Sequence, residues 1–204
     1  MNTVTGEQPA TSALAAVLGA LDDHPQPWTE QEFLSAPATR RVELVDGSLV
    51  VHPDPGARHE RLSARLTAVL EAAAAAAGPH ARLHALEAPR VRLAPGRVLV
   101  PDVVVLAHPD PDTVAHPARS VRLVVEVTGP GRAQVTRGLA QELWAAAGVS
   151  RYLRIELDGD APTASLFALE DGSWNRIERV PPGGTTCLAE PVEADLDLGV
   201  LAAD

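Results

Sequence analysis

The chain has 204 residues, 46% hydrophobic and 3% aromatic, with a formal charge of −10. That length and apolar content suit one folded domain with a sizeable core of Val, Leu and Ala, and exclude a disordered chain. The negative charge argues against a generic nucleic-acid coat, whose affinity comes from many phosphate contacts, but leaves room for a local basic cleft.

All 17 basic residues are arginine, so a mechanism that needs a lysine fails here. The single Cys187 excludes an internal disulfide and a cysteine metal cluster, which points to a reducing cytoplasm. No apolar run is long enough to span a membrane, so no membrane partner is expected. The N-terminal stretch lacks a basic segment before its apolar residues and does not read as a signal peptide.

In chain order, residues 1–26 read as a polar tail and a short helix over 10–21, its stripe made by Leu14, Val17, Leu18 and Leu21. Thr29 and Glu32 form a capping box that opens a second short helix ending near Pro37. Residues 41–45 and 48–52 flank Asp46-Gly47, a tight-turn signal, and read as a β-hairpin. A long helix is predicted over 57–77, burying Leu62, Leu66, Val69 and Leu70 and stopped by Gly78-Pro79. Strands follow at 82–86 and 90–93, then a turn at Ala94-Pro95-Gly96.

Two apolar, β-branched strands come next, each carrying an unexpected acid. Asp102 lies just after Pro101, at the start of a strand through Val103, Val104, Val105 and Leu106; Glu126 lies near the end of the strand over 121–127. Buried carboxylates are paired, protonated or metal-bound. If the strands pair antiparallel, the start of one lies beside the end of the other, and the acids converge as hard oxygen ligands of a divalent cation. A structural alternative stands beside this reading: Asp102 capping the Pro101 turn, and Glu126 paired with Arg122 or Arg90.

After Gly129-Pro130-Gly131 the spacing predicts a helix over 134–147, stopped by Gly148, and a strand over 151–157. Strands at 163–169, 173–180 and 185–188 then read as a closing antiparallel meander with Asp-Gly turns. The order of elements gives an α/β (α+β) domain around a mixed sheet, with no internal repeat and no linker inside residues 27–204.

Several pieces occur in order at fitting distances: Thr29 to Leu34, Val42-Glu43-Leu44-Val45-Asp46-Gly47, Pro101-Asp102-Val103-Val104-Val105, Glu126-Val127, and Trp144-Ala145-Ala146-Ala147-Gly148-Val149. Together they resemble the Uma-type restriction endonuclease family of the PD-(D/E)XK nuclease superfamily, over roughly residues 27–200. The resemblance implies a restriction-endonuclease-like mixed β-sheet core flanked by helices, and metal-dependent hydrolysis of DNA. It implies that Asp102, Glu126 and the carbonyl of Val127 bind Mg²⁺ or Mn²⁺, that Glu43 is a third catalytic acid, and that the chain forms a homodimer.

The sequence departs from the family pattern on the helix after Glu126. Counting back from Trp144, Ala140 stands where the family has a lysine and Thr136 where it has an aspartate. Arg137 is the nearest cation and the natural substitute; its alternative is a surface charge on a helix. The missing lysine supports a second expectation, a catalytically inactive pseudo-nuclease serving as a binding or assembly module. Arg58, Arg61 and Arg65 on the long helix read either as backbone-phosphate contacts or as a solvated face. His59, near the start of that helix, reads as either structural or an assistant at the site. His52, His80, His84, His108 and His116 do not read as zinc ligands.

Overall fold

The computed structural model describes residues 27–36, 42–129 and 134–203, with side chains from 138 onward in the last stretch. The helix expected over 10–21 lies outside the described residues. The first described helix, α1 (Glu30–Ser35), opens on the expected capping box: the Glu32 N–H donates to Thr29 Oγ1, and Glu32 accepts from the Thr29 N–H. The hairpin follows as β1 (Val42–Val45) and β2 (Ser48–Val51). Its turn needs left-handed backbone, with φ of 50° at Asp46 and 84° at Gly47. A Cβ on Gly47 would meet Pro27 at 2.7 Å, so glycine is required twice over.

The long helix α2 (Ala57–Ala76) buries His59, Leu62, Ser63, Leu66, Leu70 and Ala74. These positions recur at three and four residues, one stripe of a 3.6-residue period. Val69, expected with them, is partly buried at the edge of the stripe. Strands β3 (Leu83–Glu87), β4 (Val91–Ala94), β5 (Arg97–Leu99), β6 (Val103–Ala107), β7 (His116–Pro117) and β8 (Val121–Thr128) come next. Helix α3 (Gln134–Ala146) leads to β9 (Arg151–Glu156), β10 (Thr163–Glu170) and β11 (Ser173–Val180). The described chain closes with β12 (Thr185–Leu188), β13 (Ala194–Asp197) and α4 (Leu198–Ala202).

The expected mixed sheet is divided in two. One sheet has the order β2-β1-β5-β4-β7, the other β11-β10-β9-β8-β6-β3. Each holds one parallel pair, β4 with β7 and β8 with β9, so both are mixed. The chain passes from the first sheet to the second through Val100-Pro101-Asp102, where proline has no N–H to give a ladder. Parallel β8 and β9 need a crossover, and α3 supplies it, lying over one face of the larger sheet.

Strands β6 and β8 are buried on both faces, which is why they read as continuous apolar runs. Val103, Val105, Leu123 and Val125 pack against Leu62, Leu66 and Leu70 of α2. Val104, Leu106 and Val124 pack on the opposite face against Leu143 and Trp144 of α3 and against Val91 and Leu99 of the smaller sheet.

The closing meander is corrected in part. Strands β9, β10 and β11 form it, but β12 leaves and pairs with β13 in a separate antiparallel hairpin. Pro181-Pro182-Gly183-Gly184 intervenes, and prolines that cannot donate end the ladder there.

Candidate active site

Asp102, Glu126 and Glu43 arrive from three strand ends. Val103 pairs with Val125 at the end of the antiparallel ladder of β6 and β8, and Asp102 and Glu126 are the residues that flank this last pair. Glu43 lies on β1, beside β5, and its Oε1 accepts from the N–H of Val100 at 2.9 Å. It is thereby tied to the connection that carries Asp102.

The carboxylates have different partners. Asp102 Oδ2 accepts from the Val127 N–H at 2.6 Å, and Oδ1 lies 3.1 Å from His59 Nε2. Glu126 Oε1 accepts from the indole N–H of Trp144 at 3.3 Å, a long bond in a buried place. Glu43 Oε2 lies 2.7 Å from His52 Nε2. Asp102 thus bonds across to β8, where the sequence reading offered a cap on the Pro101 turn. Of the two arginines weighed for Glu126, Arg122 donates to the carbonyl of Arg119 and Arg90 to those of Leu34 and Ala36.

Among the described residues, no three His, Cys, Asp or Glu side chains gather around one point. The oxygens that do converge are Asp102 Oδ1 and the carbonyl of Val127, each 3.1 Å from His59 Nε2. A carboxylate and a carbonyl aimed at one small region are the hard donors a Mg²⁺ or Mn²⁺ ion takes, so this part of the chain fits a small divalent cation.

A family model, Uma2, described as "Putative restriction endonuclease", matches residues 30–200. The chain belongs to the Uma2 family. It is also similar to the crystal structure of a protein from Anabaena variabilis, described as a "putative nuclease belonging to DUF820". Identity with that protein is 17%, the match covers 86% of this chain and 98% of the other, and the TM-score is 0.65. This likeness shows a shared fold. No curated protein matches the chain.

In this Uma2 chain, Ala140 is half-buried on α3, packed in the same cluster as Trp144 one turn later. Ala140, expected at the family's lysine position, therefore faces the sheet side that carries Glu126. Arg137 belongs to α3 by its backbone, but its side chain lies outside the described residues. Two arginines of α2 do other work. Arg58 donates to the carbonyls of Gly159 and Asp160, and Arg65 to those of Leu201 and Ala203 at the end of the described chain. Arg58 ties α2 to a loop and Arg65 ties it to the end of α4, which leaves little of the phosphate-contact alternative for them.

Two histidines at the site carried only weak signals in the sequence. His52 follows from the hairpin register: Glu43 opposes Val50, so His52 is its diagonal neighbour on the same face. His59 lies three, four and seven residues before Leu62, Ser63 and Leu66, on the buried stripe.

Proposed function

We propose that this chain is a divalent-metal-dependent endonuclease that hydrolyses phosphodiester bonds of DNA, with Mg²⁺ or Mn²⁺ as its cofactor. One observation supports the reading: Asp102 and Glu126 flank the last pair of the β6–β8 ladder, Asp102 accepts from the Val127 N–H, and Glu43 accepts from the Val100 N–H of the same connection. Membership of the Uma2 family supports DNA as the substrate.

Asp102, Glu126 and the Val127 carbonyl are the residues to hold the cation. When bound, it supplies Lewis acidity and lowers the pKa of water. The Val127 N–H fixes Asp102 Oδ2, so Asp102 meets its ligand in one orientation. Glu126, which accepts the long indole bond of Trp144, would turn toward the same cation. Glu43, set by the Val100 N–H and His52, holds water beside the phosphate or completes a second cation position. Arg137, on the first turn of α3, clamps the phosphate; a guanidinium stays protonated at neutral pH and does not act as a base. No described helix is long and apolar enough to cross a membrane, and our reading places the chain in the cytoplasm as a homodimer.

A specific observation favours a second reading. Ala140, half-buried in the cluster of Trp144, fills the lysine position with a methyl group. Without a preorganised donor, rates fall by about 10²–10³ in other enzymes, and the chain then serves as a binding module. Nicking of supercoiled plasmid in Mn²⁺ by wild type and Asp102→Ala, read beside their melting temperatures, separates the two. Slow nicking that Asp102→Ala abolishes is expected. A Mn²⁺-dependent rise in melting temperature without nicking supports the binding module; neither effect in wild type removes the metal-dependent nuclease.

A further inference from the structure

His59 lies on the first turn of α2, Asp102 on the connection from β5 to β6, and Val127 on β8. Three separate elements thus bring one atom each to a single point: His59 Nε2, Asp102 Oδ1 and the Val127 carbonyl oxygen. The side chains of His59 and Asp102 are 10% and 14% exposed. We infer that His59 is a nitrogen ligand of the cation, completing the donor set of Asp102 and Val127.

The spacing suits a shared cation as well as a hydrogen bond. An octahedral cation with bonds of about 2.1 Å holds adjacent donor atoms about 3.0 Å apart. Nε2 stands 3.1 Å from both oxygens. Val127 fixes the arrangement from both sides of its backbone: its N–H pins Oδ2 of Asp102 at 2.6 Å, and its carbonyl faces the imidazole. As a ligand, His59 would offer the Nε2 lone pair, with the ring hydrogen on Nδ1.

The inference rests on the proposed cation site, and its test is read without turnover. Mn²⁺ is added to wild type, His59→Gln and His52→Gln, each checked for folding by circular dichroism. Bound Mn²⁺ is counted from the loss of the free-ion electron paramagnetic resonance signal. Electron spin echo modulation then reports an imidazole ¹⁴N on the bound ion. Wild type and His52→Gln are expected to show the nitrogen modulation, and His59→Gln to lose it together with about tenfold or more in Mn²⁺ affinity. Bound Mn²⁺ without nitrogen modulation in wild type overturns the role of His59 and leaves the oxygen site standing, whatever the variants do. Loss of the modulation in His52→Gln and its retention in His59→Gln overturns it as well. Failure of wild type to bind Mn²⁺ overturns the cation site and this inference together.

Discussion

Asp102 divides its work between its two oxygens. Oδ2 satisfies the main-chain N–H of Val127, and Oδ1 faces His59. An acid flanking the same strand pair as a second, buried acid suggests that deleting one relieves repulsion and stabilises the metal-free fold. The bond to Val127 argues the reverse, since a buried N–H left without its acceptor costs about 1–3 kcal/mol. Asp102→Ala is therefore expected to lower metal-free stability by about that amount, measured by urea unfolding in a chelator. A more stable variant would show that repulsion wins. Of the candidate site's acids, Asp102 and Glu126 stood out in the sequence as carboxylates in apolar strands, and Glu43 only through the family resemblance. The partners of those acids were less legible, because His59 and His52 meet them through a helix face and a hairpin diagonal that only the packed structure brings together.

At the level of elements, the strong local signals carried through: the capping box at Thr29, the Asp46-Gly47 hairpin, the α2 stripe and the two doubly buried strands. The division into two sheets was not legible. Residues 97–99 are too short a run to stand out beside the Val-rich strand that follows, and partner choice is a long-range property. The short β7, two residues long, was likewise not legible. Its His116 is buried against β4, and burial holds its pKa below the usual 6.5, opposed by the charge of Asp110. A histidine with a lowered folded pKa binds its proton more readily when unfolded. The stability it lends is full above pH 6.5 and is lost as pH falls from there through the lowered folded value. In urea midpoints taken from about pH 8 down to about pH 5, His116→Gln is expected to fall less steeply with pH than wild type. Parallel curves would mean that His116 titrates alike in both states.

For the whole molecule, charge and symmetry bear on how DNA is met. With a formal charge of −10, the chain has no general attraction for a polyanion, and Arg58 and Arg65 are engaged with carbonyls. On the proposed function, contact with DNA would come from a local region around the acids, and the proposed homodimer would give a twofold pair of sites suited to the two strands of a duplex. Sedimentation equilibrium at tens of micromolar, on the order of a weak-dimer Kd, is expected to show a homodimer; monomer alone removes that part of the proposal. The centre of the functional reading is a cation scaffold of three acids without the family's lysine, and Ala140 is where it is most exposed to test. A lysine at 140 would extend from the α3 face that Trp144 shares, toward Glu126. Nicking of supercoiled plasmid in Mg²⁺ by wild type, Ala140→Lys, Arg137→Ala and Asp102→Ala measures this directly. The expected result is a gain on the order of 10²-fold for Ala140→Lys over a slow wild type, with Asp102→Ala blank. Wild-type cleavage that survives both Arg137→Ala and Asp102→Ala, with no gain from Ala140→Lys, would contradict it.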